Sequence, residues 1–263
     1  YVVASDGSGR PLRWRAPTVQ LVVVVPAPGP LGAALLAATE HAAQRWSQAT
    51  GLEIVVRAQP GAPPRVSEDG RTSVVLRTQR WCPDDPSLPC HDPSRHALTQ
   101  LYTRPVAGNP KAAEILEADI ELNAVHFDWQ ALPPLSLDAV LLHELGHVLG
   151  LEHTCNASSL LGRVDHRGAS VPRCGEAAPG VRATTMYPDA LEPIAGGRAE
   201  LSDDERQAGA ELYADTSPGF ARLASLSPSG LGISGLLVVL GLGCMSSLWV
   251  ARHRRRSRTP HGS

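Results

Sequence analysis

The chain is nearly without lysine. Of its 263 residues only Lys111 is one, so the positive charge is carried almost wholly by arginine. That bias reads as genomic base composition and not as a function. Five of the arginines, at 252, 254, 255, 256 and 258, crowd a tail that holds no acid; without them 19 basic residues face 26 acidic ones, a balance of −7. An acidic body repels a phosphate backbone, so no nucleic-acid partner is expected. No internal repeat is present, which leaves one ordinary domain with appendages. Charge is missing altogether from residues 223 to 251. Within that stretch, 231–250 is an apolar run that as a helix would measure roughly 30 Å, the thickness of a hydrocarbon core. Trp249 stands at its end and the arginines follow at once, which places the C-terminus in the cytoplasm. The expected layout is a linker over 216–230, a transmembrane helix over 231–250 and a basic cytoplasmic tail over 251–263. A buried core helix is the rival reading, but core helices seldom end in a run of arginines. An initial Met is also missing, and the expectation is an exported chain whose leader has been removed, with no inhibitory propeptide in view.

The chemistry is concentrated in residues 143–153, His-Glu-Leu-Gly-His-Val-Leu-Gly-Leu-Glu-His. His143 and His147 are four apart, so on a helix they share one face and both imidazoles can reach one metal ion. Glu144 sits beside a ligand and can reach a metal-held water without joining the ligand set. Gly150 follows the last apolar position, Leu149, where a left-handed residue ends a helix. The chain can then turn so that His153 supplies a third ligand. Three protein ligands leave one tetrahedral position for water, the arrangement of a catalytic site. Ser136 is the expected N-cap, Asp138 lies in the first turn, and Leu141, Leu145 and Val148 form the core-facing side. The bland alternative is an amphipathic core helix with incidental histidines.

Upstream, residues 18–25 are β-branched and apolar, a buried central strand. Residues 31–47 have helical spacing, and 52–58, 72–76, 97–103 and 118–122 read as further strands. Downstream, Ser202 and Glu205 have capping-box spacing and open a helix running to about residue 214. Alternating strands and helices imply a mixed sheet with helices behind it. Four cysteines fall in two local pairs, Cys82 with Cys90 and Cys155 with Cys174, each able to staple a surface loop. Three pairings of the four are possible, and free thiols in a cytosolic protein are the alternative. Cys244 is left over in the apolar tail.

The 143–153 pattern resembles that of the metzincin zinc peptidases. Thr184-Thr185-Met186-Tyr187-Pro188 resembles their Met-turn, in the form of the matrixin branch. Residues 201–205 resemble the start of the last matrixin helix, and 117–123 resemble the strand before the zinc helix in bacterial matrixin-like proteases. The resemblance covers most of residues 12–215, after a lead-in over 1–11. It implies an α+β catalytic domain with a twisted, mixed five-stranded sheet, an active-site helix and a C-terminal helix. It implies zinc on His143, His147 and His153, Met186 and Gly150 as supports, and 97–103 as the edge strand on which an extended substrate pairs. It implies hydrolysis of peptide bonds in a protein or peptide substrate by a metal-activated water, with Glu144 as general base. Tyr187 is read as packing, because Pro188 stands where some metzincins carry a zinc-binding tyrosine. The chain departs from the family in lacking a recognisable aspartate- and glycine-rich loop, so no second zinc is expected and structural calcium has no support. His91 and His96 are read as loop residues. Pro172-Arg173-Cys174-Gly175 matches the core of the matrixin cysteine switch but lies on the wrong side of the zinc helix. Ala190 stands where matrixins commonly place a pocket-lining tyrosine. The tail resembles the C-terminal sorting tags of some Gram-negative surface proteins, so the chain is expected at the cell surface or released. The rival from another class is a catalytically silent, surface-anchored binding protein on the same fold; a second rival is zinc hydrolysis of a non-peptide bond.

Overall fold

A computed structural model describes residues 1–6, 8–25, 29–63, 65–109, 112–132, 135–157, 162–188 and 200–214. In chain order these form β1 (Val2–Val3), β2 (Leu12–Arg13), β3 (Thr18–Val25), α1 (Pro30–Thr50), β4 (Glu53–Pro60), β5 (Thr72–Arg77), β6 (Ala97–Pro105), β7 (Ala113–Asn123), α2 (Leu135–Val148), β8 (Leu151–Glu152), β9 (Arg163–Val164), β10 (Ser170–Val171), α3 (Pro179–Arg182) and α4 (Asp203–Leu212). All of them belong to one unit, Tyr1–Ala224.

The main sheet has the order β2-β7-β5-β3-β4, with β6 on the other side of β7. All its pairings are parallel except the last, which is antiparallel along the whole of β6. The five long strands are those expected. The two-residue β2 makes a sixth, too short to leave a periodic signal, and the sheet is mostly parallel. The run Val19 to Val25 belongs in its middle because a parallel strand flanked on both sides buries both faces and favours β-branched residues.

One face of the sheet packs on the helices. Leu21, Val23, Val74, Ile120 and Leu122 meet Leu35, Ala38, Ala42 and Trp46 of α1 and Leu141 and Leu145 of α2 in one core. The other face of β7 is acidic and still buried. Glu114, Glu117, Asp119 and Glu121 are each no more than 9% exposed. A bulge against Tyr102/Thr103 leaves Leu116 without a counterpart, and this brings Glu114 into line with the three acids that follow. Buried charges need partners. Glu114 has Arg104, Glu117 takes the amides of Asp69 and Gly70 at 3.2 and 2.5 Å, Asp119 takes the Ser73 amide at 2.8 Å, and Glu121 has Arg77. Desolvation, and the neighbouring Glu117 carboxylate, push the Asp119 carboxyl up to about 7 against its amide hydrogen bonds.

Both local cysteine pairs are disulfides, Cys82–Cys90 and Cys155–Cys174. Two expectations need correction, and others fall outside the described residues. Helix α2 begins at Leu135, so Ser136 is its second residue and not its N-cap. β7 starts five residues earlier than the apolar pattern suggested, because its first half is held by ion pairs and amides. The linker 216–230, the span 231–250, the tail 251–263, Cys244 and Ala190 lie outside the described residues. Among the described residues no helix is long and apolar enough to cross a membrane.

Candidate metal centre

Helix α2 delivers His143, Glu144 and His147, and its end is built to return the chain toward them. A helix leaves its last carbonyls without partners. Here Trp14 Nε1 donates to Val148 O at 2.7 Å and the Tyr213 hydroxyl donates to Leu149 O at 2.8 Å. Gly150 then takes φ +87, and its amide donates to His147 O at 2.9 Å. Its α-carbon lies so close to β2 that a β-carbon would stand 2.4 Å from Leu12 O. β8 follows and pairs antiparallel with β1. Past it, the Thr154 amide donates to Met186 O at 3.0 Å. His153 is therefore pinned between two backbone pairings. Replacing Gly150 with alanine combines left-handed strain with a backbone clash, so it should cost about 3 kcal/mol. A urea midpoint that falls correspondingly at unchanged slope is the check.

The three imidazoles converge. His143 Nε2 and His147 Nε2 lie 3.2 and 3.1 Å from His153 Nε2, and all three ligand atoms fall within 4.8 Å of one another. His143 Nδ1 lies 2.7 Å from Thr185 O, and His147 Nδ1 lies 2.8 Å from Leu151 O. A carbonyl only accepts, so each Nδ1 carries the hydrogen and each Nε2 presents a lone pair to the shared space. Lone pairs facing one another repel unless a cation sits between them. Tetrahedral zinc with bonds of about 2.05 Å would hold its nitrogens about 3.3 Å apart, close to the spacing seen. The trio therefore fits a metal ion. Burial and the neighbouring His147 drive His143 down to about 3. Burial and both other imidazoles drive His153 down to about 2. Both rings are neutral at ordinary pH, as ligands must be.

Glu144 is buried at 7% exposure, and that burial pushes its carboxyl up, against the opposing pull of His147 and Thr99. Met186 is fully buried beneath α2. A β-carbon on Gly146 would stand 2.3 Å from Met186 Sδ and 3.1 Å from a ring carbon of Trp46, so the helix can rest on the methionine only where it has no side chain. The Met186 amide donates to Glu205 Oε1 at 3.1 Å, and the Ser202 hydroxyl meets the other Glu205 oxygen. Ser202 stands at the N-cap of α4 without a side-chain cap hydrogen bond, so the Ser202–Glu205 pair serves the turn holding Met186 in place of the expected capping box. Tyr187 packs with Cys155 and Ala177. His91 lies edge-on to Trp81 and His96 packs on Phe127, with ring centroids 4.9 and 4.1 Å apart. Neither joins the trio.

His143, Glu144, His147 and His153 line a cleft of about 500 Å³, walled by β6 on one side and α2 on the other. Gly146, Glu205 and Thr99 are the contributors that the sequence did not announce. Gly146 lies inside the motif, and a small residue opposite the ligand face was the available sign. Glu205 and Thr99 act through tertiary register, which leaves no local mark.

No family model matches the chain, and no curated protein matches it. Among solved structures it is similar to two of myroilysin. One is 14% identical with a TM-score of 0.38, over 77% of this chain and 82% of that one. The other is 13% identical with a TM-score of 0.36, over 81% and 94%. Neither likeness carries the functional reading, which is built from the geometry of the site.

Proposed function

We propose that the chain is a zinc-dependent endopeptidase of the metzincin type, matrixin-like in its Met186-Tyr187-Pro188 turn, that works outside the cytoplasm. The observation that carries this reading is the convergence of three histidine Nε2 atoms beside a buried glutamate in an open cleft. His143, His147 and His153 would hold the metal. When bound, zinc lowers the pKa of a coordinated water and polarises the scissile carbonyl. Glu144 takes the water's proton and passes it to the leaving amine. Among the described residues β6 is hydrogen-bonded on one side only, to β7. Its other edge is therefore open to an extended peptide, which suits a protein or peptide substrate. Met186, held by Glu205, supports the helix beneath the ligands. The two disulfides suit an oxidising compartment. Anchoring through 231–250 rests on the sequence alone.

Removal of the metal is the direct test. Dialysis against a chelator should abolish cleavage of a casein-type substrate, and stoichiometric zinc should restore it. Cleavage that survives exhaustive chelation would overturn the reading. A protein that takes up zinc and binds peptides without cutting them would be the silent relative.

A further inference from the structure

Thr99 lies on β6 opposite Ile120 of β7 and lines the cleft. Its hydroxyl is 2.5 Å from Glu144 Oε2 and 3.4 Å from the main-chain oxygen of the same residue. Among the described residues no other hydrogen bond to the Glu144 carboxylate is made. A carboxylate this buried depends on its partners for orientation as well as for energy. Threonine on a strand is stiff about χ1, so the hydroxyl is delivered to a fixed point.

We propose that Thr99 is the positioning residue for proton transfer at Glu144: its hydroxyl claims Oε2 and leaves Oε1 for the reacting water. This rests on the reading of Glu144 as the general base. A hydroxyl has one hydrogen to give and two lone pairs to receive. While Glu144 is ionised, Thr99 donates to Oε2, and the carboxylate plane is set. The water's O–H bond then breaks, its electron pair stays on the attacking oxygen, and the proton forms an O–H bond on Oε1. The carboxyl is now neutral and no longer needs a donor. The Thr99 hydrogen has a second acceptor already within reach, the Glu144 main-chain oxygen. When Glu144 gives its proton to the leaving amine, the hydroxyl returns to Oε2. One side chain thereby serves the base in both of its states, from a strand that also lies along the cleft.

Three variants of the zinc-loaded protein, Thr99→Val, Thr99→Ala and Thr99→Ser, test this beside Glu144→Gln, with kcat, KM and metal content measured for each. Thr99→Val and Thr99→Ala should lower kcat about 10- to 100-fold, with KM and metal content within about twofold, while Thr99→Ser stays within about threefold of the parent. Alanine carries the test should valine not fit. A second readout needs no turnover. In the metal-free protein the infrared carboxylate band that Glu144→Gln removes should move in Thr99→Val and return in Thr99→Ser. A kcat left within twofold by both Val and Ala overturns the role of Thr99, as does a serine variant as slow as valine. If those results arise while Glu144→Gln is inactive, only this inference falls. If Glu144→Gln cleaves at the parental rate, the underlying reading of the base falls with it.

Discussion

Replacing Glu144 with glutamine is expected to lower kcat about a thousandfold or more while the full complement of zinc stays bound. Glutamine has the same shape, keeps the α2 backbone unchanged and still offers Thr99 a carbonyl oxygen to donate to. It offers no lone pair basic enough to take a proton from water. General-base catalysis contributes about 10² to 10⁴ in rate, and three decades correspond to about 4 kcal/mol of lost transition-state stabilisation. The metal should be indifferent, because among the described residues the converging ligand atoms belong to His143, His147 and His153. KM should change little, since nothing places Glu144 against the substrate before the reaction begins. Single-turnover kinetics with metal analysis on the same sample is the measurement. A variant that keeps more than a tenth of the parental kcat with zinc bound would remove Glu144 from its role. Loss of zinc along with activity would instead make Glu144 part of the metal's support.

What the sequence made legible is what acts locally. His143 and His147 are related by one helical turn, and Gly150 by a conformation that side chains resist. Such relations are encoded within a few residues, so the trio and the turn after it were predictable. β3 was predictable for a similar reason, because seven of its eight residues are apolar or β-branched and leave little alternative to a buried strand. β7 was only half visible. Its buried acids add nothing to an apolar pattern, and their partners, Arg77, Arg104 and the amides of Asp69, Gly70 and Ser73, lie 10 to 48 positions away. Thr99 and Glu205 were invisible as site residues for the same cause. One reaches Glu144 across 45 residues and the other reaches Met186 across 19. Ser202 and Glu205 show how a local rule can name the right residues for a different task. Their spacing is that of a capping box, yet the glutamate's second oxygen is spent on the turn below the metal centre.

The largest loss of stability is expected from Arg77→Met. Arg77 ends β5 with its side chain only 7% exposed, and it donates through Nε to Glu121, which is equally buried. Its two terminal nitrogens meet both Asp84 oxygens at 2.9 Å, from within the loop that the Cys82–Cys90 disulfide closes. Methionine fills much of the volume but leaves the Glu121 carboxylate in the interior without its cation. Among the described residues the other side-chain nitrogen near that carboxylate is His91 Nε2, 3.6 Å away. Breaking a buried pair on one side costs about 3 to 5 kcal/mol, a large part of the 5 to 15 kcal/mol that holds a typical domain together. The double variant Arg77→Met/Glu121→Leu removes the stranded charge and should recover more than half of the loss, which makes the two substitutions strongly non-additive. Denaturant unfolding of the single and double variants measures this, and equal instability in both would show that the charge is not the cause. The effect should also reach the cleft. Asp84 ties the disulfide loop to Arg77, and the same segment runs on through Asp92, Ser94 and Arg95 to the cleft wall. With that tie cut in an otherwise folded double variant, the wall loses an anchor while the histidine trio keeps its own. KM should therefore rise with zinc content unchanged and kcat little altered, the reverse of the pattern expected at Glu144.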